Sequence, residues 1–412
     1  MNIAVAQSGG PTSAINASLL GVFRHALKHD EIDRIWGARN GIEGVIKDRF
    51  VDLRQIIVED MDVELIRQTP STLLGSCRYK LPKDGTAEDV YETIAKTLLR
   101  RGVGAFFYIG GNDSMDTVQK LHAYFQKKNI TIRVIGIPKT IDNDLPCTDH
   151  TPGFGSAAKY VATTMQEITR DSSVYSIPSV TIVEIMGRDT GWLTASSALL
   201  RVNGEAAPHL IYLPEAAFSV KQFIADVKKA QKEHYAVIVA LSEGITLDVT
   251  PEDSPSADVR TDVFGHKALG GVAKTLAEIV SAELGCKVRA IELNVMQRCS
   301  SHISSKRDIT EAERIGGAAV KAALEGYSGI TMVFRRVSHH PYNVRIEHVS
   351  ADQVANKIKY FPSEWITENG NDVTAEAIEY FLPLIQGEQN LYVRNGLPIQ
   401  FILKTEEQTK NQ

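Results

Sequence analysis

The densest run of reactive side chains is Pro138-Lys139-Thr140-Ile141-Asp142-Asn143-Asp144, which follows the apolar stretch Ile132–Ile137. It holds a cation, a hydroxyl and two carboxylates two residues apart. Moving a phosphoryl group onto an alcohol needs a carboxylate to accept the hydroxyl proton and cations to hold the moving charge. One loop supplies both kinds of group. The plain alternative is an Asx-rich turn that satisfies its own backbone, but such a turn has no use for Lys139.

Two glycine turns could meet the phosphates. Ser8-Gly9-Gly10-Pro11-Thr12 lies between a β-rich run and a helical pattern, where bare N–H groups and a helix N-terminus favour an anion. Gly110-Gly111-Asn112-Asp113-Ser114 adds an amide, a carboxylate and a hydroxyl, side chains that suit a metal, a donor or a helix cap. No Walker A pattern occurs. Arg78, Arg188, Arg289 and Arg298 stand next to glycines or at strand ends, where a phosphorylated substrate needs guanidinium forks. His339-His340 lacks a third spaced ligand for a metal, and Lys127-Lys128 and Lys228-Lys229 read as solvated helix charge.

These loops need strands to aim them. Asn2–Gln7, Ala105–Ile109, Ile132–Ile137, Val180–Ile185, Ala236–Leu241 and Gly329–Phe334 are short β-branched runs, and most end in a turn of the kind just described. Helical patterns run to about Lys28, Lys128 and Leu200, with a short one near Ala375–Ile385. The alternation predicts an α/β fold with largely parallel sheets and loops at the strands' carboxyl ends. About ten strands favour two Rossmann-like lobes with a cleft between them. The expected division is 1–144 plus about 300–338 for one lobe, 145–299 for the other, and 339–412 as a C-terminal extension. Asp248–Asp262 reads as an exposed acidic loop and Thr405–Gln412 as a frayed tail.

The 412 residues are 43% hydrophobic and 23% charged, which excludes a disordered or low-complexity chain. A net charge of −5 gives no general pull toward nucleic acid or anionic membrane. Four scattered cysteines without a CxxC pair support neither a disulfide framework nor a zinc site. With no leader-like start and no long apolar run, the expectation is a cytoplasmic protein without membrane or nucleic-acid partners.

The Gly9-Gly10 turn, Leu74–Arg78, Gly110–Ser114, Pro138–Asp144, Ile182–Arg188, Leu241–Gly244 and Met296–Arg298 come in the order of the phosphofructokinases, and the chain resembles that family over roughly Met1 to Phe334. The resemblance implies a glycolytic enzyme that uses Mg²⁺ to phosphorylate O1 of fructose 6-phosphate, as a homodimer or homotetramer. It makes Asp142 the general base. Thr140, Ile141, Met186, Gly187, Arg188, Glu243, Val295, Met296 and Gln297 become sugar-phosphate contacts, with Arg289 and Arg298 as 6-phosphate clamps. Gly10 and Arg78 become donor-side and transition-state contacts, and Asn112 and Asp144 the metal ligands.

ATP-dependent bacterial members of the family carry glycine where this chain has Asp113, and usually glycine where it has Lys139. A carboxylate fills the volume a nucleotide needs and repels its phosphate by ~4 kcal/mol at about 4 Å and an effective dielectric near 20, or ~1000-fold in affinity. Diphosphate has nothing beyond its second phosphorus, and Lys139 would serve it as a point charge. The pair resembles the diphosphate-dependent signature, so the expected reaction is reversible diphosphate–fructose-6-phosphate phosphotransfer. An ATP-dependent enzyme of the same fold, an NAD- or lipid-kinase relative and a phosphate-ligand sensor without turnover are the rivals. Three positions depart from the family pattern: Asn112 replaces an aspartate, Ser179 an arginine, and Val295 a polar residue. The last two leave open either a rearranged 6-phosphate clamp or a broader acceptor range, such as sedoheptulose 7-phosphate.

Overall fold

Short β-branched runs ending in glycine become the strands of two main sheets in a computed structural model, which describes residues 1–83, 86–248 and 271–403. Most of the predicted acidic loop and the whole predicted tail lie outside the described residues. The larger sheet contains β1 (Asn2–Gln7), β2 (Ile35–Ala38), β3 (Phe50–Asp52), β4 (Val103–Gly110) and β5 (Arg133–Pro138). The smaller contains β6 (Ser179–Ile185), β7 (Leu210–Tyr212), β8 (Ala236–Ser242) and β9 (Lys287–Glu292). The chain then returns to the larger sheet with β10 (Ile330–His339) and β11 (Tyr342–Ser350).

The larger sheet runs β11-β10-β5-β4-β1-β2-β3, parallel through its middle with an antiparallel strand at each edge. Alternation along each strand fills both faces. Ile3, Val5, Ala105 and Phe107 pack against the helices Ile15–Ala26 and Lys306–Leu324. Ala4, Ala6, Phe106 and Tyr108 pack on the other face against Glu88–Arg100 and Asn112–Lys127. Burying a ring such as Phe107 contributes about 1.5–3 kcal/mol. Gly21 and Gly316 let the first two helices touch: a Cβ at either would sit about 2.0–2.1 Å from a carbonyl oxygen of the other helix.

The smaller sheet runs β7-β8-β6-β9, all parallel, between a core around Phe223 and Leu276 and a second core around the helix Phe154–Ser172. Phe361, Tyr380, Phe381 and Leu384, from the segment expected as an extension, belong to that second core. The same segment supplies β11 to the larger sheet.

Two helical expectations change in detail. The stretch to Leu200 is α-helical only over Trp192–Ala195 and continues as a 3-10 helix over Ser196–Asn203. There the Ser196 and Ser197 hydroxyls donate to carbonyls three residues back, which favours the tighter winding. The short helix near the end is α-helical over Ala375–Phe381, then 3-10 through Leu382–Ile385, where Pro383 lacks an N–H for the ladder. No helix among the described residues is long and apolar enough to cross a membrane. All four cysteines are free.

Candidate active site

In the larger sheet the chain leaves β1 toward β2 on one side and β4 toward β5 on the other, so β1 and β4 flank the switch point of the topology. A crevice opens there, at the strands' carboxyl ends. Ser8-Gly9-Gly10 and Gly110-Gly111 meet in it, and the Ser8 and Ser114 hydroxyls hydrogen-bond at 2.5 Å. Gly9 has φ +75°, and a Cβ on it would lie 3.1 Å from Lys139 Nζ. The glycines leave room for that ammonium, which donates to the Gly10 carbonyl at 2.6 Å. Burial lowers the Lys139 pKa to about 8, although the Asp142 and Asp144 carboxylates oppose the shift.

After β5 the loop alternates direction. Asn143 takes φ +53° and turns its fully buried side chain behind the loop, while Asp142 and Asp144 line the crevice. Burial, reinforced by Asp144 and Glu243, raises the Asp142 pKa to about 7, with Lys139 pulling it back. Asp144 is raised too, chiefly by burial. Its Oδ1 is buried without a hydrogen-bond partner among the described residues.

The opposite wall follows β6 and β8. Gly187 has φ +144°, and a Cβ there would lie 2.4 Å from the Thr190 carbonyl oxygen. Its N–H donates to Glu243 Oε1 at 3.3 Å, and the Met186 N–H donates to Gln297 Oε1 at 3.1 Å. Burial raises the Glu243 pKa, opposed by the Gly187 N–H and by Arg188 and Arg298.

Between the walls is a cavity of about 550 Å³. From the larger-sheet side it receives Gly10, Arg78, Asn112, Asp113, Lys139, Thr140, Ile141, Asp142 and Asp144; from the other side Met186, Arg188, Glu243, Gln297 and Arg298. Arg298 reaches across, its Nη1 3.3 Å from where a Gly10 Cβ would be. Gly187, Arg289, Val295 and Met296 are not in the lining. Arg289 sits on β9, the sheet's edge strand, and Val295 and Met296 are about half exposed beyond it. Ser179 is buried at the start of β6, at the end of that strand away from the cavity.

Two expectations change in their physics. Asp113 does not present a bare charge, because Lys80 pairs with it at 3.0 Å from the facing segment. Both side chains are about half exposed or more, so the pair is screened as well as neutralised. The ~1000-fold charge penalty on nucleotides does not survive this pairing. Asn112, the other position in question, commits both ends of its amide: Oδ1 accepts from the Asn356 N–H and Nδ2 donates to the Lys357 carbonyl. A carboxylate could make only the first of these bonds.

Lys80, Glu184, Asp189 and Glu292 also line the cavity and were not singled out from sequence. Lys80, two residues beyond Arg78, was within reach of the same reasoning; the others carry no local signal.

A family model described as "Phosphofructokinase" matches residues 2–323. The chain belongs to the phosphofructokinase family. Among its phosphofructokinase relatives, a protein of Xanthomonas campestris named pyrophosphate–fructose 6-phosphate 1-phosphotransferase is 39% identical over 98% of this chain and 96% of its own length. One of the same name from Halomonas elongata is 37% identical over 96% and 94%. Among solved structures, a pyrophosphate-dependent phosphofructokinase from Marinobacter aquaeolei superposes with a TM-score of 0.85 at 34% identity, covering 98% of each chain. The phosphofructokinase fold therefore accounts for both lobes and the cleft.

Proposed function

We propose that this phosphofructokinase transfers a phosphoryl group from diphosphate to O1 of fructose 6-phosphate, reversibly, as a cytoplasmic enzyme of sugar-phosphate metabolism. The observation that carries the donor assignment is the pair of side chains, Lys139 and Asp113, that stands at the donor end of the cleft. Lys139 fills the space under the Gly9-Gly10 turn, and the Asp113–Lys80 pair bridges the far side. Diphosphate fits such an end, whereas a nucleotide must displace the bridge and find volume beyond it.

In this reading Asp142 takes the proton from O1 as the oxygen attacks. A carboxylate tuned to about 7 suits a base working near neutral pH. Lys139 holds the charge that builds on the transferred group, and Arg78 and Arg188 neutralise the oxygens on either side of it. Thr140, Met186, Glu243 and Arg298 orient the sugar phosphate, with Gln297 fixing the Met186 backbone.

The orphaned Oδ1 of Asp144 fits a hard cation, so Asp144 would hold Mg²⁺. No group of three His, Cys, Asp or Glu able to hold a metal exists among the described residues, which favours an ion ligated mainly by diphosphate and water. When bound, Mg²⁺ supplies charge neutralisation at the phosphate oxygens. Arg289 and Val295, outside the cavity of their own chain, suit a homodimer or homotetramer in which the edge strand β9 meets a second subunit and Arg289 serves that subunit's 6-phosphate.

The test is the reverse reaction. Fructose 1,6-bisphosphate, orthophosphate and Mg²⁺ should yield fructose 6-phosphate and diphosphate; absence of diphosphate release under conditions that sustain any forward turnover would overturn the reading.

A further inference from the structure

Six residues of the C-terminal segment, Asn356–Phe361, run behind the cleft and bond to the donor-turn helix, to the Asn143–Asp149 loop, and to Trp192 and Glu215. At the donor side, the Asn356 N–H and Lys357 carbonyl hold the Asn112 amide, and Asn356 Nδ2 donates to Asp116 Oδ1 at 2.9 Å. In the middle, the Lys359 N–H donates to the Asp144 carbonyl at 2.7 Å. On the sugar side, Trp192 Nε1 donates to the Lys359 carbonyl at 2.9 Å. The Phe361 N–H donates to Glu215 Oε1 at 2.9 Å, and that carboxylate also accepts the Gly191 N–H.

The Lys359 side chain concentrates these contacts. Its ammonium donates to Asn143 Oδ1 at 3.1 Å, to the Thr148 carbonyl at 3.1 Å and to the Asp149 carbonyl at 2.9 Å. Tyr380 works beside it, its hydroxyl donating to the Asp149 carbonyl at 2.5 Å and accepting from Asn143 Nδ2 at 2.9 Å. Asn143 is thus gripped at both ends of its amide, in a left-handed conformation that its surroundings hold in place. Gripping Asn143 from behind is what leaves its neighbours Asp142 and Asp144 in the cleft. A packing role alone would be served by an apolar side chain; three oxygen acceptors around one ammonium is an arrangement for holding a loop.

We propose that Asn356–Phe361 is a positioning strap for phosphoryl transfer: with Tyr380 it fixes the direction of Asp142 and Asp144, and through Asn112 it ties that loop to the donor turn. This rests on the functional reading above. It also gives the amide at position 112 a reason, since it both accepts from and donates to the strap backbone where an ionised aspartate could only accept. Because the strap acts on residues that work as the O1 proton moves, loosening it costs turnover more than substrate affinity.

The experiment uses the full-length protein with Tyr380→Phe and Lys359→Met. Steady-state kinetics is combined with calorimetric binding of fructose 6-phosphate. Tyr380→Phe keeps the ring and removes only the hydroxyl; kcat should fall about tenfold, with both KM values and the sugar-phosphate Kd within about twofold. Lys359→Met should lower kcat about a hundredfold with the same split, and if it does not fold, Tyr380→Phe decides. Unchanged kcat in a folded Tyr380→Phe, or parallel loss of kcat, KM and binding, would overturn the strap. Absence of turnover in the unaltered protein with either diphosphate or ATP would overturn the functional reading, and the strap with it.

Discussion

Replacing Asp113 separates charge from volume at the donor end. A bare carboxylate about 4 Å from a phosphate costs ~4 kcal/mol at a dielectric near 20 but only ~1 kcal/mol in water. The side chain is 64% exposed and Lys80, itself 49% exposed, lies 3.0 Å away, so the water-like limit applies and the pair carries no net charge. Opening the pair costs about 0–1 kcal/mol more. Together these give at most about 2 kcal/mol, or ~30-fold. Asp113→Asn removes the charge and keeps the shape, and should raise kcat/KM for ATP by less than about fivefold. Asp113→Gly also clears space and should reach ~30-fold. Lys80→Met leaves the carboxylate unpaired and should depress ATP use further. The assay is initial rate against ATP at saturating fructose 6-phosphate. A gain above ~100-fold in Asp113→Asn would refute the screened-pair reasoning and restore direct repulsion as the cause.

Asp142→Asn should lower kcat by about 10²–10⁴-fold, the range for a general base, while calorimetric binding of fructose 6-phosphate weakens less than about tenfold. One pH-dependent contribution to stability comes from the buried His150 cluster. Burial alone would lower the His150 pKa, but Asp149 and Glu311, each 2.8 Å from a ring nitrogen, hold it at about 9. Asp149 is likewise raised by burial yet held at about 2 by His150 and Arg336. Lys359, Tyr342 and Tyr380 also face this cluster. A His pKa raised from 6.5 contributes fully below pH 6.5 and is lost as pH rises through about 9; the depressed Asp contributes above 3.8 and is lost as pH falls through about 2. The cluster's own contribution, read as the melting-temperature difference between the unaltered protein and His150→Gln, should therefore be largest between about pH 4 and 6.5 and shrink toward pH 9, a full effect of about 3 kcal/mol. A difference that stays constant from about pH 6.5 to 9 would contradict the assignment.

What the sequence made legible was local. β1, β4, β5 and β6 are short apolar runs ended by a glycine or proline turn, and strand, turn and chemistry lie within about a dozen residues of one another. The Lys139–Asp144 loop could be found because its reactive groups are consecutive. The Lys80–Asp113 pair was hidden because its members sit on separate segments that only the fold brings together. The Asn112 contacts with Asn356 and Lys357 span 244 and 245 residues, so nothing near position 112 hints at its partners. Arg289 fits a motif in sequence, yet its position on the edge strand leaves it outside the cavity of its own chain.

Donor choice is tested most directly by initial rates of the purified protein with fructose 6-phosphate and Mg²⁺, given either diphosphate or ATP at matched concentrations. The account predicts turnover with diphosphate and release of orthophosphate, with ATP at least about tenfold poorer in kcat/KM, a gap of about 1.4 kcal/mol. Brisk turnover with ATP and none with diphosphate would contradict it.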